Sequence, residues 1–170
     1  MVRIFIYSAL LLLCGCSSIY YNAMEKFGVH KREILADRVK EARDTQKETG
    51  EQFKTALEQF RSVVNFQGGD LEKEYRKLNS AMEKSTAAAQ EVRQRIHSIE
   101  QVSSALFKEW RAEIDQYHSD SLRAASLKRL DLTKAKYAAL IETMKNAESR
   151  LEPALVPMRD QVLFMKHNLN

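Results

Sequence analysis

The sequence contains few residues that interrupt helices: among 170 residues there are five glycines and two prolines. Both residue types favour turns, so a chain with so few of them can form only a small number of long elements. Hydrophobic residues make up 44% of the chain and charged residues 29%. Because charged side chains stay in water, this composition predicts exposed helices rather than one large globular core.

The motifs that mark the common enzyme classes are missing as well. There is no Gly-x-x-x-x-Gly-Lys loop for phosphates and no His-Glu-x-x-His pair for zinc. The four histidines are scattered, and no serine stands in a pattern typical of nucleophilic catalysis. One weak metal candidate is His118 with Asp115 and Asp120, a group more typical of a solvated helix cap. We therefore expect no enzyme, no cofactor and no metal site.

The net charge of +4 does not indicate a nucleic-acid partner. Basic clusters at His30–Arg32 and Lys128–Arg129 alternate with acidic residues such as Glu33 and Asp131. A surface that binds nucleic acid carries a more one-signed stripe of charge. These clusters are therefore interpreted as solvated helix faces.

A long heptad repeat runs from Leu71 to Tyr117, and the rest of the chain is interpreted around it. Its members alternate in steps of four and three residues: Leu71, Tyr75, Leu78, Met82, Ser85, Ala89, Val92, Ile96, Ile99, Ser103, Leu106 and Trp110. One extra residue before Ile114 forms a stutter. A helix cannot bury such a stripe alone, so the repeat predicts partner helices.

Two further seams with similar spacing supply those partners. The first comprises Leu35, Val39, Ala42, Gln46, Thr49, Phe53, Leu57, Phe60 and Val64. The last comprises Ser126, Leu130, Thr133, Tyr137, Leu140, Met144, Ala147, Leu151, Leu155, Met158, Val162, Met165 and Leu169. Because Leu169 is still on its seam, we expect the bundle to accept a further helix, from a continuation of the chain or from another subunit.

The sequence predicts an all-α fold, a long antiparallel three-helix coiled-coil-like bundle, with helices at about 29–66, 70–117 and 121–169. Counted from Tyr20, the first segment has 47 residues to Phe66, the middle one 48 from Asp70 to Tyr117, and the last 49 from Ser121 to Leu169. Three near-equal helices of about 70 Å fit an up-down-up arrangement. Asp70 is the expected N-cap of the middle helix, after a turn in which Gly68 suits the C′ position. The next boundary is less marked, and one continuous helix past Leu130 is an alternative to a turn at His118–Ser121. Within the last helix, Pro153 and Pro157 predict a kink near 153–157.

The first sixteen residues have the pattern of an export signal. Arg3 supplies a positive charge, and Ile4–Leu13 is a ten-residue run without a charge. Ten apolar residues are too few to cross about 30 Å of hydrocarbon, so residues 1–15 are predicted to be a signal peptide. The sequence Leu-Cys-Gly-Cys that follows resembles the lipobox of bacterial lipoproteins, which implies cleavage between Gly15 and Cys16 and lipidation of Cys16. The alternatives are a secreted protein with two thiols and an uncleaved signal anchor.

A lipidated Cys16 would hold the protein on a membrane, because each buried lipid CH₂ contributes about 0.8 kcal/mol and two or more chains give stable anchoring. Ser17, where an aspartate would favour the inner membrane, indicates the outer membrane of a two-membrane cell, facing the periplasm. Residues 16–28 are predicted to be a lipidated membrane-proximal foot with tyrosines at the interface. The same aromatic residues also fit the first turns of the bundle. Residues 29–170 are predicted to be the helical bundle.

The chain also resembles an uncharacterised family of small bacterial lipoproteins that contain a domain of unknown function. The resemblance rests on Cys16–Ser18, Tyr20–Tyr21, Met24–Gly28, Lys31–Arg32, Asp37–Val39 and the C-terminal run Asp160–Asn170. It implies a cell-envelope location and a helical fold, and it implies no activity.

These observations favour a lipid-anchored periplasmic scaffold or spacer of the bacterial cell envelope, without catalytic activity. Its expected partners are the membrane, through the lipid, and envelope proteins or a second copy of the chain. The alternative is an envelope module that binds a small ligand or metal in a pocket between kinked helices near Pro153 and Pro157. Phe107 and Trp110, the largest aromatic group of the middle helix, fit either core packing or partner docking.

Overall fold

The computed structural model describes residues 30–64 and 70–169, and every regular element in these ranges is an α-helix. The helices are α1 (Lys31–Val64), α2 (Leu71–Ile114), α3 (Asp120–Glu148) and α4 (Leu151–Leu169). The expected all-α bundle class is confirmed. The signal peptide, the foot and the lipidation site Cys16 lie outside the described residues and stay predictions. None of the described helices combines the length and the apolar character needed to cross a bilayer.

The described chain divides into two compact units. The first contains residues 30–39 and 98–135, and the second contains residues 40–64, 70–97 and 136–169. Each unit therefore draws on α1, α2 and the helices that follow α2. The contacts that join α1 to the other helices differ between the two units.

In the first unit, a small apolar cluster joins α1 to α2. Ile34 and Val102 are buried against each other, with Leu35 and Ala105 packed around them. Since Lys31 contacts Glu109 while Ile34 packs with Val102, α1 and α2 run antiparallel here. Ile34 is the only buried apolar side chain among residues 30–39, so polar and aromatic contacts carry more of the attachment of α1 in this unit.

The second unit has the larger core. One cluster in it joins the buried residues Ala56, Val63, Leu78, Ala81, Met158, Val162 and Met165, with Phe60, Leu71, Tyr75 and Met82 packed around them. Glu41 pairs with Arg95, whereas Val63 shares this cluster with Leu78, so α1 and α2 are antiparallel in this unit also. Burying aliphatic side chains of this size contributes about 1.5–3 kcal/mol each.

The heptad seam expected on α2 is confirmed by burial. From Leu78 to Leu106 every seam residue is buried except Met82, which is half-buried, and Ile114 is buried after the stutter. Ser85 and Ser103 are buried with the apolar members. The repeat therefore marks the face of α2 that contacts the other helices.

On α1 the seam differs from the expected one in its last two turns. Leu57 and Val64 were expected inside, but they are 43% and 55% exposed, while their neighbours Ala56 and Val63 are buried. The buried positions continue the strict four-three spacing from Thr49 through Ala56 to Val63. The sequence interpretation followed the larger apolar side chain, whereas the helix keeps its register and places a small alanine inside.

The last seam shows the same kind of difference. Leu140 was expected inside but is 37% exposed, and Ile141 is buried instead. From Met144 onward the seam agrees with the expected one at Leu155, Met158, Val162 and Met165. Ala147 and Leu169 were also expected inside but are exposed. One residue of register is 100° around a helix, so a choice between adjacent leucine and isoleucine cannot be made from size alone.

The start of α2 agrees with the sequence. The Asp70 side chain accepts a hydrogen bond from the Lys73 backbone N–H at 3.0 Å, so the predicted N-cap is confirmed. Glu72 and Glu74 lie in the first turn, where the helix dipole favours negative charge. The preceding turn, including Gly68, lies outside the described residues.

The connection between α2 and α3 is a real interruption, so the continuous-helix alternative is wrong. α2 ends at Ile114, and the Gln116 and Tyr117 amides bond to carbonyls three residues back, which tightens the last turn. Ser119 then caps α3: its side chain accepts from the Leu122 amide at 3.4 Å. α2 was expected to end at 117 and α3 to begin at 121. They end and begin at 114 and 120 instead, because the tightened turn and the Ser119 cap lie between them.

The third long helical segment of the sequence is interrupted before its two prolines and not at the prolines themselves. α3 ends at Glu148, and α4 begins at Leu151 after a turn at Ser149–Arg150. This break places Pro153 in the first turn of α4, where backbone N–H groups have no partner within the helix. Pro157 alone lies in the interior of the helix, beyond its first turn. The kink expected near 153–157 is therefore replaced by a break at 149–150 that accommodates one of the two prolines.

Candidate functional site

A recess built by side chains from two helices lies at the first turn of α1. It has a volume of about 650 Å³. It is lined by residues of both signs of charge and by one large aromatic ring: His30, Lys31, Arg32, Glu33, Leu106, Glu109, Trp110 and Glu113. The α2 members recur at helical spacing, so one face of α2 forms the wall opposite α1. We call this recess the α1 groove.

Lys31 is the centre of the α1 groove. Its side chain is only 6% exposed, which is rare for lysine unless the ammonium group is paired. Its Nζ atom lies 3.0 and 3.1 Å from the two carboxylate oxygens of Glu109, which is 36% exposed. A charge-assisted contact at these distances offsets the cost of removing the ammonium from water. The pair ties the beginning of α1 to α2.

Trp110 provides a second attachment beside this ion pair. The guanidinium carbon of Arg32 lies 4.8 Å from the centre of the Trp110 ring, within the range of a cation–π contact. On its other side, Trp110 Nε1–H donates a hydrogen bond to Ser126 Oγ on α3 at 3.2 Å. One side chain of α2 therefore contacts the first turn of α1 and the beginning of α3.

Phe107 extends the same arrangement along α2. The Lys134 ammonium lies 5.9 Å from the centre of its ring. Phe107 and Trp110, the aromatic group singled out in the sequence, are both half-buried and each carries a cation on its ring. They join helices of the first unit, as core packing predicted, and a separate docking role is not needed to account for them.

The chemistry available in the α1 groove is charge pairing and ring stacking. Lys31 is paired with Glu109, and Arg32 lies on Trp110. The lining contains no serine or cysteine beside a histidine that could act as an activated nucleophile. Within residues 30–64 and 70–169, no group of three or more His, Cys, Asp or Glu side chains could hold a metal ion. The groove therefore has the character of a helix clamp.

At the α2–α3 turn, the two aspartates of the weak metal candidate each pair with a neighbouring arginine. Asp115 faces Arg111 at 3.6 Å, and Asp120 faces Arg123 at the same distance. The Nδ1 atom of His118 lies 3.1 Å from the Gln116 carbonyl oxygen, to which it donates. These side chains act as local caps and charge pairs of the turn.

The ligand pocket expected between kinked helices is not supported at its predicted place. Pro153 and Pro157 are both exposed. They lie on the side of α4 opposite to Leu155, Met158 and the other buried residues. The prolines therefore point away from the interior of the second unit, and the ligand-binding alternative stays a prediction without a site.

Sequence reasoning treated His30–Arg32 as a solvated basic cluster and therefore missed the buried Lys31. A signal was present: Ile34 and Leu35 lie three and four residues after Lys31, so all three share one face of α1. A lysine at that spacing from core residues requires an acidic partner on the facing helix. Nothing in the sequence singles out Glu109 from the other acidic residues of α2, because the pairing depends on the register of two helices.

The helices, their antiparallel packing and the clamp define the class: the protein is an all-α helical bundle. The chain belongs to the family described as protein of unknown function (DUF2959), whose family model matches residues 20–170. The resemblance to an uncharacterised family is confirmed by this match, and its lipoprotein aspect stays a prediction. Neither a curated protein nor a solved structure gives a significant match.

Proposed function

We propose that this protein is a lipid-anchored helical scaffold of the bacterial cell envelope. The chain would be tethered through lipid on Cys16 to the outer membrane and would extend its helices into the periplasm. The role requires no catalysis, since the protein acts by holding helical faces at a set place relative to the membrane. The partners are the membrane and envelope proteins that bind those faces.

The observation that carries the proposal is the clamp at the first turn of α1. A tether attached at Cys16 would reach the described chain at His30, directly before the buried Lys31 and its Glu109 partner. Trp110 links the same turn to α3 through Ser126. A scaffold needs its attachment point joined firmly to more than one helix, and these contacts supply that join.

The described surface also supports a scaffold. Its ion pairs are mostly exposed and local, such as Glu72–Arg76 and Glu74–Lys77 on α2. Exposed pairs of this kind contribute about 0–1 kcal/mol and keep a helix face solvated. Long solvated faces that leave the core seam undisturbed can present binding positions along the helices.

Lipidation is tested by a matched pair of cysteine variants. Cells that express the full chain are fed an alkyne-tagged fatty acid, and the purified protein is assayed for label and for intact mass. We expect Cys16→Ala to abolish labelling and leave the signal peptide uncleaved, whereas Cys14→Ala keeps the label because residue 14 lies in the discarded segment.

Cell fractionation completes the test. We expect the labelled wild-type protein in the outer-membrane fraction and protected from protease added outside intact cells. An unlabelled wild-type chain that retains residues 1–15, or label that persists in Cys16→Ala, would sink the proposed anchor and with it the scaffold role.

A further inference from the structure

Helix α4 is apolar on two opposite faces. Its inner face packs Leu155, Met158, Val162 and Met165 into the second unit. Its outer face exposes other large apolar side chains: Val156 is 45% exposed, Leu163 53% and Phe164 63%. A helix that is apolar on both sides is normally covered on both sides. The outer face therefore needs an occupant.

The outer face is arranged symmetrically about Asp160. At 100° per residue, Asp160 lies at its centre, opposite to the buried seam. Val156 and Pro157 precede it by one turn, and Leu163 and Phe164 follow it by one turn. An antiparallel copy of α4 centred on Asp160 would place Val156 against Leu163 of the second copy, and Pro157 against its Phe164. An apolar face that complements itself in this way is the pattern of a two-fold interface.

The charges on the rim of this face favour the same arrangement. Glu152, Arg159 and Lys166 recur every seven residues along one flank, and Arg159 donates to Glu152 at 3.2 Å. In an antiparallel pair, Glu152 of each copy lies opposite Lys166 of the other. Asp160 lies next to its own copy, and Arg159 of each chain, close to both carboxylates, offsets their repulsion. In a parallel pair this flank would instead face the opposite flank of the second copy, where Ala154, Gln161 and Asn168 carry no charge, so the contacts between Glu152 and Lys166 would be lost.

We propose that the outer face of α4 is a docking surface for α4 of a second copy of this chain, which lies antiparallel about Asp160. The inference stands apart from the lipid anchor, because it rests only on described residues of α4. One pair of 19-residue helices offers a small interface. The expected dissociation constant is therefore in the micromolar range or weaker.

The geometry is tested by disulfide trapping in the full chain carrying Cys14→Ser and Cys16→Ser, in mild detergent. Adding Asp160→Cys puts one thiol near the two-fold axis, where the two Cα atoms come close enough for a disulfide. We expect this variant to form a disulfide-linked dimer on mild oxidation. His167→Cys is the direction control: it faces its own copy only in a parallel pair, and in the antiparallel pair its copies lie about 20 Å apart. Ala154→Cys, exposed on the flank of α4, is the background control.

Affinity is tested by sedimentation of the same cysteine-free chain over a range of concentrations. Phe164→Glu should raise the dimer dissociation constant more than about tenfold, because it places a carboxylate in the apolar contact. Leu132→Glu on α3 is the matched control, since Leu132 is 56% exposed and lies outside α4. It should leave the dimer intact. Both substitutions replace exposed side chains, so helix content and melting temperature should stay unchanged.

Three results would overturn the proposal. The cysteine-free chain with an otherwise unchanged α4 could remain a monomer at about 100 μM. Phe164→Glu could leave the dimer dissociation constant unchanged. His167→Cys could form the crosslinked dimer while Asp160→Cys does not. A monomer that binds phospholipid vesicles only with Phe164 intact would assign the face to lipid and would equally reject the second copy. None of these results bears on fatty-acid labelling of Cys16.

Discussion

Ser85 and Ser103 are two buried serines on the same seam of α2, at 0% and 1% exposure. They differ in their hydrogen bonds. Ser103 Oγ donates to the Glu100 carbonyl at 3.0 Å, whereas Ser85 Oγ has no partner among the described residues. A buried hydroxyl that forms no hydrogen bond costs roughly 1–3 kcal/mol, and one that forms it is close to neutral.

The same substitution should therefore act in opposite directions at these two sites. We expect Ser85→Ala to raise the free energy of unfolding by about 1 kcal/mol, since it removes the unsatisfied hydroxyl and improves helix propensity. Ser103→Ala should lower it by about 0.5 kcal/mol, because a satisfied hydrogen bond is lost. Urea denaturation followed by circular dichroism measures both. Equal effects of the two variants would mean that Ser85 finds a partner, such as a bound water.

Glu109 should matter more than an ordinary surface glutamate of α2. Glu109→Ala removes this carboxylate from the Lys31 ammonium, which is 6% exposed, and we expect a loss of about 2 kcal/mol in the free energy of unfolding. Glu91→Ala is the matched control, because Glu91 forms an exposed pair with Arg95 on the same helix. Its expected effect is about 0.3 kcal/mol. A loss on Glu109→Ala no larger than on Glu91→Ala would show that the clamp adds nothing to stability.

Helix α4 begins where the chain can best accept one of its prolines. The break at Ser149–Arg150 puts Pro153 in the first turn, but Pro157 lies inside the helix and lacks the N–H that would bond to the residue 153 carbonyl. The break at Ser149–Arg150 therefore accommodates Pro153 but not Pro157, which still weakens α4.

Replacing the two prolines separately should reveal this difference. Pro157→Ala restores a backbone hydrogen bond and should raise the free energy of unfolding by about 1–3 kcal/mol. Pro153→Ala should be neutral or lower it by about 0.5 kcal/mol, because proline at that place restricts the unfolded chain at no cost to the helix. Guanidinium denaturation checks both values. A larger gain from Pro153→Ala would indicate that the helix begins earlier than Leu151, so that Pro153 lies in its interior.

The two parts of α1 are held by different contacts, and this should appear as a difference in local opening. In the second unit, α1 contributes Ala56 and Val63 to a cluster of seven buried apolar side chains. In the first unit, Ile34 is the only buried apolar side chain among residues 30–39, and it packs on Val102 beside the Lys31 and Trp110 contacts. Segments with fewer buried apolar contacts open at lower free energy. The part of α1 in the first unit should therefore open more readily than its part in the second.

Hydrogen exchange along α1 tests this, because the helix passes through both units. We expect amides of residues 35–39 to exchange at least about tenfold faster than amides of residues 53–60 under native conditions. Mass spectrometry of peptides from each segment gives the comparison within one helix. Equal protection of the two segments would show that α1 opens as a single cooperative element, with the clamp as effective as the larger core.

Heptad spacing alone was sufficient for the fold class, for the buried face of α2 and for the N-cap at Asp70. These features depend on periodicity and on local hydrogen bonding, both of which are contained in neighbouring residues. The lipid anchor on Cys16 was also inferred from local sequence, and it stays a prediction that the labelling experiment tests.

Packing between helices decided which of two adjacent apolar side chains is buried and which charged residues pair, and local sequence does not determine either. It placed Ala56 inside and Leu57 outside, and it buried Ile141 in preference to Leu140. It also paired Lys31 with Glu109 and left the outer face of α4 uncovered. Adjacent residues on a helix differ by 100° in direction, so which of two suitable side chains is buried depends on the register of the facing helix, and that register is a property of the assembled fold.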